Sequence, residues 1–396
     1  MRRIAVLTGG GDTSSLNATL KGVALEAERQ GFELLGFVEG WKGLYEGRYV
    51  KLRSDMIDER AGGTLLKTSR TDLRKVEDGF ERSVENLKKL RVDALIAVGG
   101  DDTLTVGAAF AQEFATAFVT KTIDNDVGRN PPQGGKIDFE GMINYFCPGF
   151  PTAALKFASF VRDLRTTAYS HERVMVVEAM GRDMGWLALA GACGGADIVV
   201  IPEVGLNYER LRELVAEKFK EQRHLIIAVA EGIKDEEGRL LTENPDYIDA
   251  FGHAQPGGCS ELIARRLKND LSKELGASNF NHVIPSYLQR CGPPTEIDMR
   301  VSMELGRKAV EALKEGKVNH VACAMRRGDE IVAELLPMDE VLERDETGKV
   351  IPREVDPRLY DPEAMNATPE GIEYFRPILG DMPRPFEYPK LEIQKI

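Results

Sequence analysis

Short runs of β-branched and other apolar residues alternate along this chain with longer stretches whose apolar positions recur at helical spacing. The runs predicted to form strands are Ile4–Thr8, Leu34–Val38, Ala94–Val98, Ala117–Thr120, Val174–Glu178, Ile198–Pro202, Leu225–Ala230 and His320–Met325. The stretches predicted to form helices are Leu16–Gln30, Phe80–Leu90, Ala153–Leu164, Tyr208–Gln222, Ser260–Glu274 and Met299–Glu315. This alternation is typical of parallel sheets covered by helices on both faces, so we predict an α/β fold. From about Val355 onward the chain is rich in proline, and there we predict an irregular arm.

The length and charge of the chain narrow the possible functions. At 396 residues it exceeds one ordinary compact core and suits two α/β domains. The net charge of −12 argues against non-specific binding to nucleic acid or to an anionic membrane surface. Small anionic substrates remain compatible with that charge, because a pocket needs only local positive charge. No stretch approaches the roughly 20 apolar residues of a membrane-spanning helix.

The cysteines and the N-terminus bear on the cellular compartment. None of the five cysteines has the spacing of a metal or redox site, so we predict buried thiols in a reducing environment. The N-terminus enters a strand-like run at once, which leaves no room for a signal peptide. These features together predict a cytoplasmic protein.

The first predicted strand ends in a glycine-rich turn, Thr8–Asp12, directly before a predicted helix. Glycines let the backbone approach a phosphate closely, and a helix N-terminus presents unpaired amides to an anion. The turn is not a dinucleotide-binding fingerprint, which would need glycine where Ser14 stands. We interpret it as a phosphate-binding turn, with a tight turn that binds nothing as the alternative.

A second turn, Gly99–Thr103, closes another predicted strand and contains the adjacent carboxylates Asp101 and Asp102. A carboxylate in this position can hold Mg²⁺ beside a phosphate chain. The alternative is that one aspartate caps the following helix. Capping needs only one carboxylate, and two adjacent ones repel each other, so the pair favours a functional role.

A third turn, Lys121–Asp126, follows the next predicted strand. A hydroxyl that attacks phosphorus must lose its proton, and a positioned aspartate can accept it. The ammonium group of Lys121 would neutralise charge on a phosphoryl donor. A polar turn with an Asx cap explains this segment equally well when it is taken alone.

These turns belong to a larger set of segments that follow one another in a fixed order. The set comprises Gly9–Asn17, Gly40–Tyr45, Gly62–Arg70, Val98–Asp102, Lys121–Asp126, Ser170–Arg173, Met180–Arg182, Pro202–Val204, Glu231-Gly232 and Tyr287–Arg290. From residue 1 to about 340 the chain thereby resembles the phosphofructokinase family. The resemblance implies two Rossmann-like three-layer α/β domains with mostly parallel sheets, and an active site in the cleft between them.

The resemblance also implies how the chain is divided. Residues 1–149 with about 289–340 would form a phosphoryl-donor domain that binds pyrophosphate and Mg²⁺, and residues 150–288 a sugar-phosphate domain. Residues from about 341 to 396 would form a C-terminal segment and arm that pack on the domains. In the family one arginine of the acceptor site comes from a neighbouring subunit, so a homodimer or homotetramer is expected.

The same resemblance implies roles for the residues of the reaction centre. Gly11 would donate its amide to the transferred phosphate, and Arg70 would bridge the donor and acceptor phosphates. Asp101 would bind Mg²⁺. Asp124 would deprotonate the 1-hydroxyl of the sugar, and Asp126 would orient that base or assist the metal. The residues implied to bind the donor are Gly10, Gly11, Asp102 and Lys121.

A further group of residues matches the acceptor side of the family's site. The group consists of Thr122, Arg173, Met180, Gly181, Arg182, Glu231, Tyr287 and Arg290. Within it, Arg173 and Arg290 would hold the distal phosphate of the sugar, since a guanidinium can bind an oxyanion through two donors. Arg182 is also implied to act in catalysis.

The choice of donor depends on two positions. By the resemblance, relatives that use ATP have glycine where Asp102 stands, which leaves room for the α-phosphate of the nucleotide. A carboxylate there would meet that phosphate sterically and electrostatically. Lys121 resembles the lysine that pyrophosphate-dependent relatives place on their donor, although lysine also occurs in ATP-dependent ones. We therefore predict a pyrophosphate-dependent enzyme that phosphorylates fructose 6-phosphate.

Departures from the family pattern lie mostly on the acceptor side. Phe251–Gly258 looks like the family's arginine-containing acceptor motif but has Pro256 in place of the arginine, which leaves His253 as a turn or capping residue. The later segment Tyr287–Gly292 keeps Arg290, and we assign the motif to it. Because the flanking residues differ, a longer acceptor such as sedoheptulose 7-phosphate remains an alternative to fructose 6-phosphate.

Three other functions compete with this prediction. One is an ATP-dependent 6-phosphofructokinase, which Asp102 disfavours. Another is a kinase of a different metabolite, since the related NAD kinases also use a glycine-glycine-aspartate turn. The third is a sugar-phosphate sensor without catalysis, which the presence of Asp101, Asp124 and Arg182 disfavours.

Overall fold

A computed structural model describes most of the chain. The described residues are 1–235, 238–248, 254–276, 279–346, 350–380, 385, 387–389 and 394, with only the backbone described at 243–248 and 254–256. His253, for which the sequence predicted a turn or capping role, lies outside the described residues.

The described residues form both strands and helices in alternation. The strands are β1 (Arg3–Thr8), β2 (Glu33–Phe37), β3 (Tyr49–Lys51), β4 (Ala94–Gly99), β5 (Thr116–Thr120), β6 (Val174–Ala179), β7 (Ile198–Val200), β8 (Leu225–Ala230), β9 (Glu243–Ile248), β10 (Ala254–Pro256), β11 (Phe280–Val283), β12 (His320–Arg327), β13 (Glu330–Pro337), β14 (Tyr360–Asp361) and β15 (Asn366–Ala367). The helices are α1 (Leu16–Arg29), α2 (Gly40–Glu46), α3 (Gly79–Lys89), α4 (Asp101–Phe110), α5 (Phe150–Ser170), α6 (Trp186–Cys193), α7 (Tyr208–Gln222), α8 (Cys259–Leu275), α9 (Glu296–Lys314), α10 (Met338–Val341) and α11 (Pro369–Leu379).

The chain is divided between two compact units. The first unit comprises Met1–Ala153, Glu243–Gln255 and Tyr287–Asp356, and the second comprises Ala154–Thr242, Pro256–Ser286 and Pro357–Ile396, as far as these ranges are described. Each unit contains its own sheet, and most strand pairs in both sheets are parallel. The predicted α/β fold class with mostly parallel sheets is confirmed.

The first unit contains a seven-stranded sheet in the order β13-β12-β5-β4-β1-β2-β3. The five strands in its middle pair in parallel, and only the edge strands β13 and β3 are antiparallel to their neighbours among the described strands. Central strands such as β4 are buried along their whole length, which explains why they read as continuous apolar runs. Helices α1 and α9 pack closely at Gly22. A Cβ there would lie 2.0 Å from the carbonyl oxygen of Met303, so only glycine allows this approach.

The second unit contains a four-stranded sheet in the order β11-β6-β8-β7, parallel throughout. The predicted boundaries of β8 and α7 agree with the structure. The predicted strand Ile198–Pro202 ends earlier, at Val200, because Pro202 begins a short 3₁₀ turn. The predicted helix at 153–164 is longer and extends from Phe150 to Ser170.

The prediction of an irregular C-terminal arm is wrong for residues 369–379, which form α11. Thr368 caps this helix by accepting a hydrogen bond from the Gly371 amide at 3.1 Å, and Pro369 is placed in the first turn, where proline is tolerated. Tyr374 and Phe375 are fully buried, and the Tyr374 ring lies 5.0 Å from that of Trp186. The apolar face of the helix, rather than the proline content, decides this conformation.

The prediction of buried thiols holds for Cys147, Cys259 and Cys323. It is wrong for Cys291, which is exposed, and Cys193 is only partly buried. Burial raises the pKa of Cys147 to about 12, so that this thiol stays protonated at neutral pH. Among the described residues, no helix combines the length and apolar character that a membrane crossing requires.

Candidate active site

The three turns singled out in the sequence lie at one edge of the first sheet. Thr8 at the end of β1 pairs with Val98 of β4, and Val98 pairs with Val119 of β5. Because these strands are parallel and adjacent, their carboxyl ends and the turns that follow are neighbours. Ligands of parallel α/β sheets bind at such an edge.

Backbone hydrogen bonds hold the glycine-rich turn after β1. The Gly9 amide donates to the Val98 carbonyl at 2.9 Å, and the Gly10 amide donates to the Ser69 carbonyl at 3.1 Å. The Thr68 hydroxyl donates to the Gly10 carbonyl at 2.7 Å. Gly10 has φ +79°, a left-handed conformation that glycine adopts without steric cost. These hydrogen bonds shape the turn without a ligand. They also hold Thr68 and Ser69, which directly precede Arg70, against the turn.

Glycines also let the second turn approach the first. A Cβ at Gly9 would lie 2.6 Å from the Thr103 hydroxyl oxygen, and a Cβ at Gly99 would lie 2.3 Å from Thr103 Cβ. A side chain at Gly9 would therefore separate the two turns, and one at Gly99 would clash with Thr103 within the second turn. Asp101 and Asp102 are placed in the first turn of α4, where the helix dipole favours negative charge.

Asp102 lies within electrostatic reach of a fixed cation. Arg74 donates from Nε and Nη2 to the two carboxylate oxygens of Asp72, both at 2.8 Å. These bonds raise the pKa of Arg74, and the negative charge of Asp102 raises it further. The bidentate pair fixes the orientation of the Arg74 guanidinium.

Lys121 connects the third turn to the first. Its backbone amide donates to the Gly99 carbonyl at 2.9 Å, and its ammonium group donates to the Gly11 carbonyl. The side chain is only 3% exposed. In the same turn the hydroxyl of Thr122 accepts the amide of Asp124 at 3.0 Å, which orients the backbone of the predicted base.

Arg290, predicted to hold the distal phosphate of the sugar, lies beside the glycine-rich turn of the first unit. Its Nη2 is 3.1 Å from a carboxylate oxygen of Asp12, and its Nη1 would lie 3.2 Å from a Cβ at Gly11. The guanidinium also covers the ring of Tyr287 at 4.9 Å, while that tyrosine is 58% exposed. The structure thus brings Arg290 next to residues predicted to bind the donor, a neighbourhood that sequence spacing did not indicate.

In the second unit a carboxylate holds the predicted acceptor loop. One oxygen of Glu231 accepts the amides of Gly181 and Arg182, at 3.1 Å and 3.0 Å. Arg182 has φ +52°, and a Cβ at Gly232 would lie 1.9 Å from its carbonyl oxygen. Glu231, predicted to line the sugar site, therefore also shapes the loop Met180–Arg182.

The two remaining features of the second unit concern Arg173 and Glu178. Arg173 directly precedes β6 and donates from Nη1 to the Thr167 hydroxyl at 3.1 Å. Glu178 on β6 is buried and accepts the amides of Gly258 and Ser260, each at 2.9 Å, at the start of α8. Sequence reasoning missed this role of Glu178, although an acidic residue in a buried strand is a signal that could have indicated it.

A family model described as phosphofructokinase matches residues 3–313 of the chain. The chain belongs to the phosphofructokinase family. The matched region includes the three turns at the edge of the first sheet and, in the second unit, the loop predicted to bind the acceptor. The resemblance on which the sequence-based prediction depended is confirmed.

Among curated members of the family, similar proteins include both donor types. A pyrophosphate–fructose 6-phosphate 1-phosphotransferase from Dictyoglomus thermophilum is 37% identical over 364 residues, which cover 91% of this chain and 96% of that protein. An ATP-dependent 6-phosphofructokinase 3 from Streptomyces coelicolor is 36% identical over 321 residues, covering 80% of this chain and 88% of that protein.

Solved structures of phosphofructokinases share the fold. A pyrophosphate-dependent phosphofructokinase from Marinobacter aquaeolei superimposes with a TM-score of 0.77 at 18% identity, over 99% of this chain and 94% of that one. This likeness establishes the phosphofructokinase fold for the chain.

Proposed function

We propose that this chain transfers a phosphoryl group reversibly from pyrophosphate to the 1-hydroxyl of fructose 6-phosphate, giving fructose 1,6-bisphosphate. The observation that carries the choice of donor is the carboxylate of Asp102 in the first turn of α4, beside the glycine-rich turn. The similarity to the Dictyoglomus thermophilum pyrophosphate-dependent enzyme supports the same reaction.

The donor turns suit a short polyphosphate better than a nucleotide. The helix dipoles at the start of α1 and at the start of α4 favour an anion, and Lys121 adds a positive charge. A nucleotide would bring its α-phosphate toward Asp102. Two like charges about 4 Å apart repel by about 4 kcal/mol at an effective dielectric constant near 20. That repulsion is large enough to reverse a preference for ATP, whereas pyrophosphate has no third phosphate.

The residues of the predicted donor site can hold Mg²⁺ if oxygens of the substrate complete the coordination of the ion. Within the described residues, no group of three or more His, Cys, Asp and Glu side chains is arranged to hold a metal ion. Mg²⁺ is commonly bound by one or two carboxylates together with phosphate oxygens and water. Asp101, in the first turn of α4, would supply the protein carboxylate. The bound ion would neutralise negative charge on the pyrophosphate oxygens.

The protein's own residues carry the rest of the mechanism. Asp124, whose backbone is held by Thr122, accepts the proton of the attacking 1-hydroxyl. The Gly11 amide and the Lys121 ammonium stabilise charge on the phosphoryl group in transit. Three further residues bridge or orient the reacting groups, namely Arg70, Asp126 and Arg182.

The remaining acceptor residues act on the sugar phosphate. Arg173 and Arg290 bind its distal phosphate, and the loop held by Glu231 contacts the sugar. The other contributors to this site are Thr122, Met180, Gly181 and Tyr287. The donor domain would be 1–149 with about 289–340, the sugar-phosphate domain would be 150–288, and about 341–396 would be a C-terminal segment.

The resemblance to the family further supports a homodimer or homotetramer that acts in the cytoplasm. Light scattering of the purified chain at working concentration tests the assembly. A monomer that retains full activity would contradict it.

An activity matrix of donors against acceptors tests the function. With Mg²⁺ and millimolar substrates, we expect turnover with pyrophosphate and at least tenfold less with ATP, and fructose 6-phosphate used better than sedoheptulose 7-phosphate. Activity with ATP and none with pyrophosphate would identify an ATP-dependent 6-phosphofructokinase instead. Equal or better use of the heptulose phosphate would change the acceptor.

The double variant Asp102→Gly with Lys121→Gly sharpens the donor argument. Removing the carboxylate and the lysine should admit ATP measurably and raise the ratio of ATP to pyrophosphate kcat/KM by about 100-fold, since several kcal/mol of repulsion are removed. A matched control is Asp329→Gly with Lys317→Gly, because both side chains are at least half exposed in the first unit. The control should leave the ratio unchanged.

A further inference from the structure

Arg353 lies beyond the residues matched by the family model, in the last part of the first unit. Its side chain is only 3% exposed. Its backbone amide donates to the carbonyl of Asp126 at 2.7 Å, at the end of the third donor turn. The C-terminal part of the first unit is therefore hydrogen-bonded to the turn that contains the proposed base.

The guanidinium of Arg353 makes a second set of bonds to the same turn. Nε and Nη2 both donate to the carbonyl of Asn125, at 3.2 Å and 2.8 Å. Nη1 donates to the carbonyls of Asn144 and Ile143, at 2.6 Å and 3.3 Å. One side chain thus joins the catalytic turn to the segment packed against it, using the planar arrangement of donors that only arginine offers.

Asn125 stands between the proposed base Asp124 and the buried Asp126, and its conformation is unusual. It has φ +58°, in the left-handed region, and it is fully buried. Its side-chain oxygen accepts the amide of Cys147 at 2.9 Å. Asparagine tolerates this conformation better than most residues, and contacts from the surroundings are needed to hold it in one orientation. The bonds from Arg353 and Cys147 supply that constraint on both the carbonyl and the side chain.

We propose that Arg353 is a positioning residue for catalysis, which fixes the peptide between residues 125 and 126 and so aims the carboxylates of Asp124 and Asp126. This inference builds on the proposed function, because it takes Asp124 as the base. Arg353 acts through the backbone of the turn. Its loss should therefore lower the rate of the chemical step and leave substrate binding nearly unchanged.

The test compares Arg353→Met, Arg353→Lys and the control Arg129→Met. Arg129 also donates to two carbonyls of the first unit, those of Asp339 and Leu342, so its loss removes similar bonds outside the catalytic turn. Steady-state kinetics use the donor that the unmodified chain uses best. Circular dichroism tests whether each variant is folded at the assay temperature. Calorimetric titration with pyrophosphate and Mg²⁺ gives the number of intact pyrophosphate-binding sites per chain.

For Arg353→Met we expect kcat to fall by about 100-fold, because a displacement of about 1 Å in a reacting group has an effect of this order. Both KM values and the affinity for pyrophosphate should change by about threefold or less. Arg353→Lys should keep more of kcat than Arg353→Met, since an ammonium group still donates to the Asn125 carbonyl. Arg129→Met should keep kcat within about threefold of the unmodified chain.

Hydrogen exchange of the peptide that covers residues 121–126 gives a readout that does not depend on activity. Exchange should be faster in Arg353→Met than in the unmodified chain and unchanged in Arg129→Met. Equal losses of kcat in the two methionine variants, or unchanged exchange in Arg353→Met, would overturn the inference. If Arg353→Met does not fold, Arg353→Lys and its exchange rates decide. Absence of pyrophosphate turnover by the unmodified chain is a separate result, which counts against the proposed function alone.

Discussion

The turns predicted to bind the donor, in the first unit, differ from the loop predicted to bind the acceptor, in the second unit. The difference lies in the hydrogen-bond partners of their backbone amides. In the first unit, α1 begins after Ser15 and α4 begins after Gly100, and neither receives a side-chain cap from that residue. In the second unit, Glu231 accepts the amides of Gly181 and Arg182. In the glycine-rich turn of the first unit the Gly9 and Gly10 amides donate to neutral backbone carbonyls, whereas the two amides of the loop in the second unit donate to a negatively charged group.

From this difference we predict two modes of phosphate recognition in one chain. A glycine-rich turn lets the backbone approach a compact anion closely, and we expect the turn that contains Gly10 and Gly11 to bind the donor in this way. A loop whose amides are bonded to a carboxylate would recognise a phosphate through cationic side chains, and Arg173 and Arg182 are the side chains that we expect to serve there. Pyrophosphate, which consists only of phosphate, suits the first mode, and a sugar with one distal phosphate suits the second.

The largest effect should follow from removing the proposed base, Asp124, in the third turn of the first unit. Asp124→Asn keeps the shape of the side chain but cannot accept the proton, so kcat should fall by about 1,000-fold with both KM values nearly unchanged. Rapid-quench measurement of phosphoryl transfer checks this. Asp138→Asn removes a carboxylate that caps a short turn of the same unit and should behave as the unmodified chain. A loss of less than about tenfold in Asp124→Asn would place the base elsewhere.

A smaller and one-sided effect should follow from Glu231→Gln. The glutamine still accepts hydrogen bonds, but without charge, which weakens each of the two bonds by about 1 kcal/mol. We expect kcat/KM for fructose 6-phosphate to fall by about 30-fold, while the KM for pyrophosphate stays constant. Glu209→Gln, at an exposed position on α7, is the control. An equal fall in kcat/KM for both substrates would show that recognition of donor and acceptor is not divided between the two units.

The smallest effect concerns the ion pair beside Asp102. Burial opposes ionisation of Asp72, yet its hydrogen bonds to Arg74 lower its pKa below the usual value. A carboxyl whose folded pKa is lowered stabilises the protein above its unfolded pKa, near 4, and loses that contribution as the pH falls through the folded pKa. Asp72→Asn should lower the free energy of unfolding by about 1 kcal/mol at pH 7, because Arg74 is partly exposed and the pair is partly screened.

Urea unfolding at pH 7 and at pH 3 measures this effect. The difference between Asp72→Asn and the unmodified chain should shrink toward zero at the lower pH. Asp55→Asn removes a comparable pair with Arg53 whose side chains are both 66% exposed, and it should not shift the urea midpoint. A constant difference at both pH values would show that Asp72 acts through packing and not through its charge.

The amino-acid sequence by itself determined the features that depend on local order. A strand followed by glycines and an aspartate can be recognised from neighbouring residues, so the turns at Thr8–Asp12 and Gly99–Thr103 and the α/β alternation were predictable. Helix α7 was predicted at its observed boundaries, because its apolar face and its Asn207 cap lie within one short segment.

Only the tertiary structure decided which distant residues meet at those turns. Arg290 lies 3.1 Å from Asp12, and next to this pair the Ser14 hydroxyl donates to the carbonyl of Cys291, which is 277 residues away in sequence. Arg353 reaches the carbonyl of Asn125 from 228 residues away. Hydrogen bonds of this kind depend on how the chain packs, and no periodicity or local motif encodes them. The same reason explains why α11 was missed, since the burial of its apolar face depends on partners such as Trp186.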